Sequence, residues 1–130
     1  MQAAFDKDGG RKELGRLGEE EAVQFLKKNG FRVLERNYRC RLGEIDLIVE
    51  KKGRISFVEV KTRRSFQVVS PLELISAQKK RHISRVAQQY LAWKKLQDRP
   101  AEFSLLIVDF SRPEPQFELI ETAFSLEWGY

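Results

Sequence analysis

Three charged side chains in two consecutive predicted strands suggest metal-dependent chemistry. Glu59 and Lys61 stand two residues apart in the run FVEVK, so a strand would place both on one face of a sheet. Asp46 is the polar member of the preceding strand, within the run EIDLIV. If these strands pair as an antiparallel hairpin, two carboxylates and one ammonium group meet among apolar neighbours. Burying such charges costs free energy, and a hard divalent cation such as Mg²⁺ would offset that cost.

Helical spacing directs two further charged residues toward the same point. Glu19 lies seven residues before Leu26, in line with the apolar stripe of the first predicted helix. Lys79 lies four residues before Ile83, on the inward face of the second predicted helix. We therefore expect Glu19 and Lys79 to join the cluster. The alternative for each is partial exposure, with only the aliphatic stem against the core.

These residue types fit hydrolysis of a phosphodiester bond with Mg²⁺ or Mn²⁺ as cofactor. A divalent ion generates hydroxide from bound water, holds the phosphate and stabilises the leaving oxygen. Lys61 would orient the water or neutralise developing charge, and both roles stay open at this point. A Glu and a Lys two apart on a strand also commonly form a solvated surface pair. The apolar residues that flank Glu59 favour the catalytic interpretation.

The pattern of apolar residues predicts a single α/β domain. Predicted helices cover residues 12–29 and 71–95, and predicted strands cover residues 31–34, 44–49, 55–61, 103–110 and 117–120. An arginine-rich loop follows the first strand, and residues 51–54 form a hairpin turn. Residues 1–10 are expected to be a flexible N-terminus ahead of the domain, which covers residues 11–130.

Positive charge is concentrated in the first three quarters of the chain. Residues 1–97 contain 22 Lys/Arg and 12 Asp/Glu, a net charge of +10, whereas residues 98–130 contain 2 and 7, a net charge of −5. Residues 74–97 contain basic but no acidic residues, which is typical of a surface that meets a polyanion. Seven residues are candidate phosphate contacts, with a solvated surface role as the alternative for each: Arg36, Arg39, Arg41, Arg63, Arg64, Lys80 and Arg81.

The rest of the composition excludes several classes of protein. A single cysteine, Cys40, excludes an internal disulfide framework, and a single histidine, His82, excludes a His-rich zinc site. No stretch approaches the roughly 20 apolar residues of a membrane span, and the N-terminal residues lack the apolar core of a secretion signal. We expect no membrane association and a cytoplasmic location.

Three motifs in combination resemble a known family. They are a Gly-Glu pair in the first helix, the run NYRCRLGEIDLI and the run FVEVKTR. Residues 14–124 closely resemble the YraN family of predicted bacterial endonucleases, which is similar to the PD-(D/E)xK superfamily that contains archaeal Holliday-junction resolvases. The resemblance implies a restriction-endonuclease-like core with the element order αβββαβ and a mixed central sheet.

The resemblance also implies roles for single residues. Asp46, Glu59 and Lys61 match the acid, acid and lysine of the superfamily motif. Glu19 matches a helix carboxylate that can join the metal shell, and Lys79 matches a recurrent helix lysine. The same resemblance implies that the backbone carbonyl of Val60 is a further metal ligand. Gly43 is expected to allow a tight turn into the strand of Asp46.

The chain departs from the family pattern at one place. Residues 102–104 read Glu-Phe-Ser, where the family usually has Arg-Phe-Asp, so neither the positive charge nor the negative charge of the family pattern is kept at its position. The leading hypothesis is an endonuclease that acts on DNA, structured or branched DNA in particular. The second is a nucleic-acid-binding module of the same fold with little or no catalytic activity. The third is a protein-interaction domain whose acidic C-terminal third meets a basic partner. A homodimer is expected if both strands of a junction are cut.

Overall fold

The computed structural model describes residues 7–64 and 76–124. They form α1 (Lys7–Lys28), β1 (Arg32–Cys40), β2 (Gly43–Lys51), β3 (Arg54–Arg63), α2 (Ala77–Trp93), β4 (Ala101–Asp109) and β5 (Gln116–Phe124). The strands make one sheet in the order β1-β2-β3-β4-β5, in which β3 and β4 are parallel and the other neighbours antiparallel. The connection between the parallel strands contains α2, as parallel pairing requires a long crossover. This architecture confirms the predicted αβββαβ core with a mixed sheet, and β5 confirms the edge strand predicted at residues 117–120, with longer bounds.

Apolar side chains pack in two layers, one on each face of the sheet. On one face α2 packs Ile83 and Val86 against a cluster that includes Phe57 of β3. On the other face α1 packs Leu26 against a cluster that includes Val58, the next residue of β3. Successive residues of β3 thus serve opposite layers, as the period of two in a strand requires. We call these faces the α2 face and the α1 face.

The two helices differ from the predictions at their N-terminal ends. Helix α1 begins at Lys7, so its first residues lie in the segment predicted to be flexible. Helix α2 begins after Ser76, whose hydroxyl accepts a hydrogen bond from the Lys79 backbone N–H at 3.1 Å and so caps the helix. The predicted start of this helix at Pro71 lies outside the described residues. Neither described helix is long and apolar enough to cross a membrane.

Strand β1 is longer than the sequence predicted. Only residues 41 and 42 form a turn, and β1 runs through the stretch that was predicted to be an arginine-rich loop. Pairing with β2 continues as far as Cys40 opposite Gly43. Because β1 is an edge strand, its polar side chains can stay in solvent while its backbone pairs, so tertiary pairing overrides the weak local pattern. Gly43 has a φ of 144°, which fits the predicted tight turn into β2.

Strands β1 and β2 both change face at Asn37 and Asp46. Residues two apart in a regular strand share a face, yet Ile45 packs in the α2 face cluster and Leu47 in the α1 face cluster. The register of β1 against β2 puts Asn37 opposite Asp46. Asn37 has a φ of 52°, in the left-handed region that Asn tolerates better than most residues. Asp46 therefore lies at the boundary between the two packed layers.

Candidate metal and phosphodiester site

Strands β2 and β3 separate beside Asp46. Their paired ladder ends at Leu47 opposite Val58, whereas β3 continues alongside β4 as far as Arg63. The Val60 backbone N–H, beyond the last β2 pair, donates a hydrogen bond of 2.8 Å to Asp46 Oδ2. This carboxylate replaces the backbone acceptor that β2 no longer supplies, because a partly buried N–H needs a partner. We call this place the fork.

The Glu59 carboxylate forms ion pairs with two ammonium groups on the α2 face of the fork. The residue is only 6% exposed. Its Oε2 lies 3.7 Å from Lys61 Nζ and 3.3 Å from Lys79 Nζ. Lys61 comes from the same strand, and Lys79 comes from the first turn of α2, on the inward side that its spacing predicted. Two ammonium groups offset the cost of burying the Glu59 carboxylate.

Asp46 responds electrostatically to the other members of the cluster. Burial and the neighbouring Glu59 carboxylate raise the pKa of Asp46 to about 7. Glu19 raises this pKa further, whereas the Val60 N–H and Lys79 lower it. Groups that shift one another in this way share one environment. Asp46, Glu59, Lys61 and Lys79 therefore meet at the fork, and Glu19 lies near enough to act on Asp46 electrostatically.

Gly18 allows α1 to approach the end of β3 closely. A Cβ at residue 18 would lie 1.9 Å from Thr62 Cγ2, so glycine fits there without a shift and a larger residue does not. This contact sets the next residue, Glu19, near the fork. The Gly-Glu pair of the first helix was noted as a motif, but the close approach that requires Gly18 was not predicted. The sequence does contain a signal for this approach. Glycine inside a helix is less favourable than alanine by about 1 kcal/mol, so a glycine there indicates a packing or functional constraint.

The oxygen donors at the fork suit a hard divalent cation. Mg²⁺ typically takes one or two carboxylates and completes its shell with water and phosphate, and Asp46 and Glu59 supply such a pair. Among residues 7–64 and 76–124, no three His, Cys, Asp or Glu side chains gather closely enough to hold a metal ion. Glu19 thus does not form one ligand set with the other two carboxylates. The fit is to a site with two carboxylates.

Three of the seven predicted phosphate contacts already form ion pairs. These are Arg36 with Glu20, Arg39 with Glu44 and Arg63 with Asp109, with N–O distances of 2.7, 3.8 and 3.0 Å. Arg41, Arg64 and Arg81 are exposed, and Lys80 is partly buried. A phosphate would have to replace a carboxylate at the paired arginines. The exposed arginines can meet a polyanion without that exchange.

The residues that depart from the family pattern lie on the other face of the sheet. Ser104 is two residues from Leu106, which packs in the α1 face cluster, whereas Glu59 meets α2. Glu102 is buried and forms an ion pair of 3.1 Å with Arg54. The Ser104 hydroxyl is buried and has no hydrogen-bond partner within the described part of the chain. The departure therefore changes a local ion pair and a buried hydroxyl, both away from Lys79 and Lys61.

Comparisons with known proteins identify relatives over most of the chain. A family model described as "Uncharacterised protein family UPF0102" matches residues 18–121. A UPF0102 protein of Caldicellulosiruptor saccharolyticus is 46% identical over 98 residues, which cover 75% of this chain and 83% of that protein. A UPF0102 protein of Syntrophus aciditrophicus is 41% identical over 115 residues, covering 88% and 91%. A third, of Geobacter metallireducens, is 41% identical over 117 residues, covering 90% and 96%.

Among solved structures, one similar chain is Pyrococcus furiosus SfsA in complex with Ca²⁺. The TM-score is 0.36 and the sequence identity 14%, over 89% of this chain and 64% of that chain. Similarity at this level transfers neither a ligand nor an activity. The sequence relatives are much closer, and they agree with the YraN-like resemblance of the motifs. On the family match and these relatives, the chain belongs to the UPF0102 family.

Proposed function

We propose that this protein is a divalent-metal-dependent endonuclease that hydrolyses phosphodiester bonds in DNA. The observation that carries the proposal is the meeting of Asp46, Glu59, Lys61 and Lys79 at the fork. A buried carboxylate between two lysines can be purely structural. The neighbouring Asp46, however, has a pKa raised to about 7. Strongly shifted pKa values cluster at functional sites.

The charges at the fork balance when a metal ion and a phosphodiester are added. Three carboxylates and two ammonium groups leave one negative charge if all are ionised. A divalent cation changes this to one positive charge, and one phosphodiester group brings the total to zero. A site with equal numbers of positive and negative groups would gain less from binding a metal ion together with a phosphodiester.

Each residue has a proposed role in this reaction. Asp46 and Glu59 would hold Mg²⁺ or Mn²⁺ through their carboxylates, with the Val60 carbonyl as a further ligand. When bound, the ion supplies activation of water and stabilisation of charge on the phosphate. Lys61 would stabilise charge that develops on the phosphate oxygens. Lys79 would orient Glu59, to which it lies closer than Lys61 does.

Glu19 and the basic surface would act around this centre. Glu19 would add a third negative charge from α1, which favours cation binding without direct ligation. The exposed Arg41, Arg64 and Arg81 would contact the DNA backbone and position it without reading sequence. Branched or otherwise structured DNA is the proposed substrate class. A homodimer would place two such sites on opposite strands.

Cleavage of a DNA panel tests the proposal directly. Single-stranded, duplex, flap and four-way DNA are incubated with the protein in Mg²⁺, in Mn²⁺ and in a chelator. We expect cleavage only with metal, and a loss of about a hundredfold or more in Asp46→Ala and Lys61→Ala, because each removes charge from the reacting centre. The matched control is Asp98→Ala, which removes an exposed acid after α2.

Two outcomes would count against catalysis by this cluster. Equal activity in the parent and in both variants points to a contaminating nuclease. Calorimetry that registers no uptake of Mn²⁺ by the parent removes the cofactor from the proposal. In the second case the fork would be a structural ion-pair cluster.

The second candidate function is a nucleic-acid-binding module with little or no hydrolysis. It is favoured by the two ammonium groups within 4 Å of Glu59 Oε2, since these compete with a cation for that carboxylate. The replacement of the family's usual Arg and Asp by Glu102 and Ser104 also favours it. Salt-sensitive binding of the DNA panel without cleavage identifies this function. An absence of salt-sensitive DNA binding would favour the protein-interaction domain instead.

A further inference from the structure

An exposed aromatic group lies at the opposite end of α2 from Lys79. Trp93, the last residue of α2, is 58% exposed. Its indole stacks on the Tyr38 ring of β1, with ring centroids 6.2 Å apart and planes inclined by 27°. Tyr38 is itself held by a hydrogen bond to Gln89 Oε1 and by edge contact with Tyr90 at 5.1 Å. We call Trp93, Tyr38, Gln89 and the adjoining Lys94 the Trp93 platform.

Packing inside the protein does not account for the exposed part of this indole. Tyr38, Tyr90 and Phe57 form a connected set of rings that reaches into the α2 face cluster. Trp93 extends that set outward into solvent, where more than half of its side chain is left for a ligand to contact. The tyrosine behind it limits the orientations of the indole. The result is a flat aromatic surface that a planar ligand can contact.

The charge around the platform favours an anionic ligand. Lys94 Nζ lies over the Trp93 ring, 4.4 Å from its centroid, so this exposed cation accompanies the aromatic surface and covers part of it. The acid that faces it, Glu35, approaches Lys94 only to 4.0 Å, the limit of an ion pair. Residues 74–97 contain six basic and no acidic residues. A planar ring beside ammonium groups matches a nucleotide, which offers a base for stacking and a phosphate for pairing.

We propose that the Trp93 platform stacks an unpaired nucleobase of a DNA strand whose backbone phosphate is bound by Lys94. The proposal extends the proposed function, since it names the state of the DNA that the surface recognises. Bases within a duplex are already stacked and cannot cover the indole. Unpaired bases occur in single strands, flaps and junctions.

The position of the platform allows one strand to reach both it and the fork. Lys79 and Trp93 are 14 residues apart in one helix, which corresponds to about 21 Å at 1.5 Å per residue. That distance spans roughly six nucleotides at a rise of 3.4 Å. Exposed Arg81 and Arg85 lie between them on α2. A strand that follows the helix would therefore meet positive charge along its course.

Fluorescence of a single-tryptophan protein tests the stacking. In a Trp128→Phe background, Trp93 is the remaining tryptophan. We expect an oligothymidylate to quench its emission on binding, and a fully abasic oligonucleotide of the same length to bind without comparable quenching. The abasic strand has the same number of phosphates, so it separates stacking from charge. Anisotropy of labelled strands measures binding independently of quenching.

Substitutions then measure what the ring contributes. Trp93→Ala should weaken oligothymidylate binding by about fivefold to a hundredfold, the usual effect of removing a base-stacking aromatic, and leave abasic binding unchanged. Trp93→Phe should retain most of the affinity. Lys94→Ala should weaken both strands alike, with a lower salt dependence.

The results separate this inference from the proposed function. Equal affinity and equal quenching for both strands would overturn base stacking, while metal-dependent cleavage of the DNA panel would still stand. Binding of neither strand, together with intact cleavage of duplex DNA, would also overturn the inference and leave the proposed function standing. Selective loss of oligothymidylate binding in Trp93→Ala supports the inference even if the parent shows no cleavage.

Discussion

At the scale of single residues, Asp46 should make the stability of the metal-free protein depend on pH. Its pKa is about 7 in the folded protein and near 3.8 in the unfolded chain. Between these values the folded state retains a proton that the unfolded state has lost, so the free energy of unfolding falls as pH rises. Asp46→Asn removes this titration and can keep an oxygen acceptor for the Val60 N–H. We compare the free energy of unfolding of the variant with that of the parent. Between about pH 4.5 and about pH 8 this difference should shift in favour of the variant by on the order of 1–3 kcal/mol.

Denaturant unfolding in the presence of a chelator measures this difference. Asp98→Asn serves as the control, because Asp98 is exposed after α2. Parallel stability curves for the parent and both variants across this pH range would show that the Asp46 proton is not linked to folding. Added Mn²⁺ should stabilise the parent more than Asp46→Asn, since a bound cation favours the ionised carboxylate.

The site residues illustrate what local sequence rules can predict. Alternation along β3 placed Glu59 and Lys61 together, and helical arithmetic placed Lys79 inward; their ion pairs agree with both. The rules did not anticipate how Asp46 reaches this cluster, since a regular ladder continued by one residue would pair Asp46 with Glu59. The ladder ends one residue earlier, and Asp46 binds the Val60 N–H instead. A change of strand face depends on partner strands that a linear pattern does not contain.

At the scale of elements, the approach of α1 to β3 should depend on Gly18. Gly18→Ala puts a Cβ within 1.9 Å of Thr62 Cγ2, so the helix or the threonine must shift. We expect a loss of about 1–3 kcal/mol in the free energy of unfolding, as overpacking typically causes. Cleavage should fall as well, because Glu19 moves with the helix.

Gly15→Ala provides the matched control in the same helix. A Cβ at residue 15 meets nothing within 4 Å, so this substitution should stabilise the helix by roughly 0.5–1 kcal/mol. Adding Thr62→Ala to Gly18→Ala should recover part of the loss. Equal effects of the two glycine substitutions would mean that helix propensity, and not close approach, determines the result.

The elements were predicted well where their apolar pattern was strong. The buried strand β4, with seven consecutive buried residues, stands close to its predicted bounds. The sequence underestimated β1, whose polar residues read as a loop but pair with β2 along an edge. It also missed α1 before residue 12, where two glycines and three charged residues weaken the helical signal. Buried elements have a regular spacing of apolar residues that predicts them, whereas an edge strand held by backbone pairing does not need one.

At the scale of the whole molecule, the order of the strands separates charge across the sheet. The acidic C-terminal quarter includes β5 at one edge, with exposed Glu118 and Glu121. Basic α2 packs against β2, on the other side of the central strand β3. DNA should therefore approach from α2. Reversing Arg81 and Arg85 to glutamate should weaken DNA binding and reduce the slope of log affinity against log salt by about 0.9 for each lost phosphate contact.

The opposite reversal tests whether this effect is local or global. Changing Glu118 and Glu121 to lysine raises the net charge of the protein from +5 to +9, since two acids become two bases. We expect little change in the salt slope from this variant, as β5 lies away from α2. Filter binding at several salt concentrations measures both variants. If the two reversals alter the slope by equal and opposite amounts, net charge and not a defined surface attracts the DNA.

The parallel pairing of β3 with β4 has a consequence for how the protein forms during synthesis. Strands β1, β2 and β3 follow one another closely, so their hairpins close short loops. Strand β4 joins only after the chain has passed through the crossover that contains α2, and such long-range closure is slow. A nascent chain would thus carry both carboxylates of the fork before Lys79 is held against Glu59. We therefore expect the complete cluster of charges at the fork to form only in the last cooperative step of folding.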